Sequence, residues 1–106
     1  MAEVKISLLQ SADDAERAVI ADCTAQVLEK VFELPASSLF FRFVDLIKSA
    51  ENIDAAIEIQ LFPAGSARMR KMACREIQEL VCERLQLPRE RINVCITSPP
   101  QEKRVL

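Results

Sequence analysis

Residues 57–62 read "IEIQLF" and residues 4–9 read "VKISLL". Both alternate apolar and polar side chains, the period of a strand with one buried face. The same series of signals succeeds each stretch. After residues 4–9, Ser11 followed by Asp14 offers a capping box. Ile20, Cys23, Val27, Leu28, Val31 and Phe32 then recur at three- and four-residue steps, which predicts a helix ending near Phe32. Leu34-Pro35 stops it, because the residue before proline avoids the α region. A second strand is predicted over about 38–45, "SLFFRFVD", with a connection over 46–54.

After residues 57–62 the series repeats. "PAGS" forms a loop in which Ser66 is the N-cap. Met69, Ala73, Ile77, Leu80, Val81 and Leu85 mark one helix face, Leu87-Pro88 ends the helix, and "INVCIT" at 92–97 makes the last strand. Two prolines keep the tail "SPPQEKRVL" from extending a central strand. Sliding the chain by 53 sets Ile6 on Ile59, Leu8 on Leu61, Arg17 on Arg70, Leu34 on Leu87 and Pro35 on Pro88. Val4 then falls on Ile57, Val27 on Leu80, Leu39 on Ile92 and Phe41 on Val94, so strand parity and helix phase are both kept.

The predicted fold is therefore α+β: one domain over 1–106, with a first βαβ unit at 1–46 and a second at 55–98. Four strands form a mixed sheet, and both helices lie on one face, since each strand has one wholly apolar side. Those sides are Val4/Ile6/Leu8, Leu39/Phe41/Phe43, Ile57/Ile59/Leu61 and Ile92/Val94/Ile96. The other face mixes Lys5, Ser7, Leu9, Phe40, Arg42, Val44, Glu58, Gln60, Phe62, Asn93, Cys95 and Thr97. It is too apolar to stand in water and too polar for a dry core. Copies of the chain covering each other's open faces answer this, so a symmetric homo-oligomer is expected. Arg42 and Glu58 are expected to pair in its lining.

Composition narrows the function. With 106 residues and a net charge of −2, the chain has no basic run for nucleic acid or an anionic membrane, and its five aromatics, all Phe, give few stacking platforms. No apolar run approaches the ~20 residues of a membrane span, and the amino terminus lacks the pattern of a signal peptide. Cysteines at 23, 74, 82 and 95 form no C-x-x-C pair and are expected to be buried cytoplasmic thiols. With no histidine in the chain, no metal site is expected, and no cofactor is called for. Histidine-based triads are impossible and tyrosine is absent too. Proton transfer near neutral pH is left to a carboxylate, a thiol, a lysine or the α-amine.

Two consecutive βαβ units, a strand at the very amino terminus and the segment "IQLFPAGSARMRKMACREIQELVCERLQLPRERINVCITSP" resemble the tautomerase superfamily. The likeness is to its two-unit members, of the kind of 4-oxalocrotonate tautomerase and macrophage migration inhibitory factor. It implies a homotrimer of sheets around a central channel and isomerase chemistry on a small keto or enol acid bearing a carboxylate. In that family the base is a proline exposed when Met is removed; here the position is Ala2. The family's carboxylate-binding arginine on the second strand matches Phe40 and Asn93, with Arg42 two residues beyond Phe40. Its arginine after the glycine that opens the helix matches Ser66, with Arg68 two residues later. A lysine before the helix-ending proline is replaced by Leu34. The resemblance thus implies Ala2 as the catalytic position, with Phe40, Arg42, Phe62, Ser66, Arg68 and Asn93 as substrate-binding candidates.

Once Met1 is removed, Ala2 would present a primary amine of pKa about 7.7–8.0, able to take an α-proton or form a Schiff base. Because Ala2 stands where the family has its catalytic proline, activity is expected to be altered or lost. The rivals are a ferredoxin-like binding module of the same element order and a trimer-forming interaction subunit. "AIEIQLF" lacks the aromatics and basic residues that an RNA-recognition sheet needs.

Overall fold

The computed structural model describes residues 2–9, 13–46, 53–62 and 65–98. Strand β1 spans Ala2–Leu9, helix α1 Asp14–Phe32, β2 Leu39–Leu46, β3 Ala55–Leu61, helix α2 Ala67–Leu85 and β4 Ile92–Thr97. Single 3-10 turns at Ala36–Ser38 and Arg89–Arg91 lead into β2 and β4. The expectations placed on Met1, Ser11, residues 47–52, the Pro63-Ala64 part of the loop and the tail beyond Ser98 lie outside the described residues.

The repeat is kept to the residue. Both helices are 19 residues long and begin 53 positions apart, as do β1 and β3, the two 3-10 turns, and β2 and β4. Each helix ends on a residue in the left-handed region, Glu33 at φ 59° and Gln86 at φ 56°. Each turn is preceded by an extended proline, Pro35 and Pro88. The helix starts differ. At α1, Asp13 accepts from Glu16 N–H at 2.9 Å and Glu16 accepts from Asp13 N–H at 3.3 Å. The capping box is thus Asp13 with Glu16, a correction to the expected Ser11 and Asp14. At α2, Ser66 Oγ accepts from Met69 N–H at 3.1 Å, as its sequence position predicts.

The sheet order is β2-β1-β3-β4. Within each unit the strands are parallel, and the units meet at an antiparallel β1–β3 pair. Val4 faces Ile59 and Ile6 faces Ile57 at this centre. One alternating set of strand residues is buried: Ala2, Val4, Ile6, Leu8, Leu39, Ala55, Ile57, Ile59, Leu61, Ile92 and Ile96. It forms a single cluster with Ile20, Cys23, Val27 and Leu28 of α1 and Ala73, Ile77 and Val81 of α2, so both helices cover the same face. Each large aliphatic side chain in it contributes about 1.5–3 kcal/mol of burial. The helix stripes coincide under the repeat: Ile20, Thr24 and Leu28 against Ala73, Ile77 and Val81. Thr24 is tolerated in the core because its hydroxyl donates to Ile20 O at 2.9 Å.

Two expectations about burial are corrected. Phe43 has the parity of the helix-facing side, yet it is 41% exposed, because β2 is an edge strand. Of the four cysteines only Cys23 is buried; Cys74 and Cys82 are half-buried and Cys95 is exposed on the open face of β4. Among the described residues no helix is long and apolar enough to cross a membrane.

Candidate active site

Ala2 opens the central strand β1, with Leu39 beside it on one side and Leu61 on the other. Its side chain is fully buried. The chain entering β2 and the chain leaving β3 therefore arrive together at the Ala2 end of the sheet. Phe40 and Phe62 each come one residue after a strand partner of Ala2. They are among the most exposed large apolar side chains of the described residues, at 55% and 64%.

Ser66 reaches this end as the α2 cap, its hydroxyl committed to Met69 N–H. Gly65 before it sits at φ 71°, and a Cβ there would lie 3.0 Å from Phe32 Cε1 and 3.3 Å from Met69 Sδ. Glycine is favoured there both by the left-handed backbone and by the close approach of the Phe32 ring of α1. Arg70 Nη1 donates to Gly65 O at 2.8 Å and ties down the turn. Arg68 is exposed in the first turn of α2, which holds no acidic residue, and has no ion-pair partner among the described residues. A cation at a helix start opposes the helix dipole.

A cavity of about 250 Å³ opens between the end of α1 and the start of α2. Val31, Phe32, Glu33, Leu34, Gly65 and Met69 line it. Its walls belong to the two segments that flank Leu39 and Leu61, the strand partners of Ala2. The volume is small beside typical ligand pockets of about 300–1,000 Å³, which suits one small molecule. The sequence pointed here only obliquely. Leu34 reads as a helix stop, Met69 as filler, and Glu33 carries no motif; the useful signal is the chain's single glycine next to a capping serine. A larger trough of about 470 Å³ runs between the helices, lined by Gln26, Val27, Lys30, Glu76, Glu79, Leu80 and Glu83 and bridged by Lys30–Glu76 at 2.8 Å. Neither this trough nor the smaller cavity is lined by any of the residues singled out in the sequence as catalytic or substrate-binding; the smaller one adjoins Ser66 through Gly65.

Arg42 and Asn93 stand apart from Ala2. Arg42 pairs with Lys5, three residues along β1, about 10 Å from the Ala2 end. Asn93 pairs with Ala56, which faces Ser7, so it lies about 17 Å along the sheet. The antiparallel centre turns the second unit end for end, and residues equivalent under the repeat reach opposite edges. Within one chain, the β4 residue level with Glu3 and Gln60 is Thr97. Lys5 intervenes between Arg42 and Glu58, and neither of those two has an ion-pair partner among the described residues. The expected Arg42–Glu58 pair is therefore not formed within the chain.

Burial pushes the Cys23, Cys74 and Cys82 thiols up, and the smaller pulls of Arg84, of Ile96 N–H and of Arg89 do not reverse it. None of the three is poised as a thiolate nucleophile. Among the described residues no three or more cysteine, aspartate or glutamate side chains gather as a metal site.

The F6 fused 4-OT wild-type asymmetric trimer superimposes on 98% of this chain and 91% of its own, with a TM-score of 0.79 at 16% identity. The chain has the tautomerase-superfamily fold. N1, a member of the cis-3-chloroacrylic acid dehalogenase family, matches 98% of this chain and 79% of its own, with a TM-score of 0.75 at 19% identity. FG41 malonate semialdehyde decarboxylase, inhibited by 3-bromopropiolate, matches 91% and 82%, with a TM-score of 0.69 at 16% identity. No family model and no curated protein matches the sequence. The same fold is thus carried by proteins named as a fused 4-OT, a member of the cis-3-chloroacrylic acid dehalogenase family and a malonate semialdehyde decarboxylase, so the fold by itself fixes no activity.

Proposed function

We propose that the chain is an altered keto–enol tautomerase of small keto acids that works at the Ala2 end of a homotrimer. One observation carries the reading: the cavity between α1 and α2 is walled by the two segments that flank the strand partners of Ala2. In this reading Met1 is removed and the Ala2 amine moves the carbon-bound proton. Arg68 holds the substrate carboxylate at the mouth of α2, a better placed cation than Arg42, which sits on the open face. Ser66 fixes the turn, Phe40 and Phe62 wall the approach, and Asn93 acts only where a second copy brings it near. No cofactor is needed for a proton shift. The half-exposed, unpaired thiols favour a cytoplasmic location.

The trimer is supported by the open face. Phe40 and Val44 are exposed there on the edge strand, beside the charged row Arg42, Lys5 and Glu58. That surface calls for a cover, and trimers occur among proteins of this fold. The same exposure favours a second reading, a non-catalytic trimer-forming subunit, and turnover separates the two. Phenylpyruvate and 2-hydroxymuconate ketonisation should run faster with the mature Ala2 amine than with a control that retains Met1. Equal rates remove the enzyme and leave the subunit.

A further inference from the structure

We propose that Glu33 is the second proton-transfer group of this site, taking the enol hydroxyl proton while the Ala2 ammonium protonates carbon; this rests on the tautomerase reading above. A ketonisation needs two such groups. The Glu33 carboxylate accepts the O–H proton as the C=O bond forms. The C=C electron pair takes a proton from the ammonium and becomes the new C–H bond. The site is left as a neutral carboxyl and a neutral amine, and proton exchange with water restores both. Overall one proton leaves oxygen, one arrives at carbon, and nothing is oxidised or reduced.

Four observations single out Glu33. It is the one titratable side chain among the residues lining the 250 Å³ cavity; the others are Val31, Phe32, Leu34, Gly65 and Met69. It is exposed, so water can carry its proton away. Its side chain has no hydrogen bond or ion pair among the described residues, whereas the backbone is fixed there, Glu33 N–H donating to Glu29 O at 2.9 Å and Leu34 N–H to Leu28 O at 3.5 Å. The fourth comes from the repeat. Gln86 holds the equivalent place with nearly the same φ, so the helix end itself needs no carboxylate. The charged groups of the last turn of α1 are Glu29 and Lys30, the latter paired with Glu76, and those of the first turns of α2 are Arg68, Arg70 and Lys71.

Glu33→Gln is the test, and Gln86 shows that the backbone accepts the change. Ketonisation of enol-phenylpyruvate should fall about 100-fold in kcat, with KM moving less than about twofold. The kcat/KM–pH profile should lose its acid limb, a change that a purely structural residue would not produce. Glu33→Gly, suited to a left-handed backbone, should regain rate on addition of formate. A Glu33→Gln protein with unchanged kcat and profile overturns the proposal, even where Met1 retention still abolishes turnover. A folded, trimeric protein that shows no turnover over the Met1-retaining control removes the tautomerase reading and this inference with it.

Discussion

Lys5 and Glu58 face each other across the central antiparallel pair and are also each other's equivalents in the two units. A local twofold axis therefore passes between them. A residue on such an axis meets its own counterpart, and in an undiverged repeat the counterpart would be identical. Here the two have become a lysine and a glutamate. Glu58→Lys would restore a like-charge pair and should lower stability by about 0.5–1 kcal/mol. Adding Lys5→Glu should recover the loss and gain a little more, because residue 5 also faces Arg42 on β2. Urea unfolding of the two single variants and the double variant measures the coupling.

The left-handed helix ends give a second expectation. A non-glycine residue in that region costs about 1–2 kcal/mol, partly offset by the greater chain entropy that glycine loses on folding. Gln86→Gly should raise stability by about 0.5–1 kcal/mol, read as a higher urea midpoint at unchanged slope.

Helix starts should respond unequally. Asp13→Ala removes the side-chain acceptor of a reciprocal box and should cost about 1–2 kcal/mol. Ser66→Ala removes one hydrogen bond and should cost about 1 kcal/mol. Thermal melts of the two variants should rank in that order.

The thiols predict a pH dependence. Burial raises the Cys23 thiol above the ordinary value of 9.0, so folding favours its protonated form. As pH rises through 9.0 the unfolded chain releases this proton and the folded chain keeps it. Stability should therefore fall from about pH 8.5 upward, and Cys23→Ala should flatten that fall despite its own packing cost. In the free protomer, brief maleimide treatment at neutral pH followed by mass spectrometry should find Cys95 labelled and Cys23 intact, and the proposed trimer should slow labelling of Cys95 by covering the open face on which it stands.

On the open face, Phe40→Asp places a charge where the proposed trimer buries a ring. Sedimentation should shift to the monomer, with the far-ultraviolet spectrum unchanged. A Phe40→Asp trimer would separate that face from assembly.

Much of this architecture is legible in the sequence because alternation and helical spacing report burial directly. The two nearly equal series of signals mark the strand faces, both helix ends at Leu34 and Leu87, and Ser66 as a cap. What the sequence hides is what depends on neighbours. Phe43 has a core residue's parity, but its exposure comes from β2 being an edge, which needs the strand order. Asn93 matches Phe40 by position in the repeat, yet the antiparallel centre carries it to the far edge. Glu33 bears no local mark at all, because its place beside the cavity is made by Gly65 and Met69, more than thirty residues away.

The uniform 53-residue offset between the units has one more outcome. The left-handed helix end occurs twice in a single polypeptide, once at Glu33 and once at Gln86. In an assembly of identical half-length subunits, any change to one helix end would be forced on both. Fusion frees each copy to drift, so one can be kept for chemistry while its twin is kept for shape.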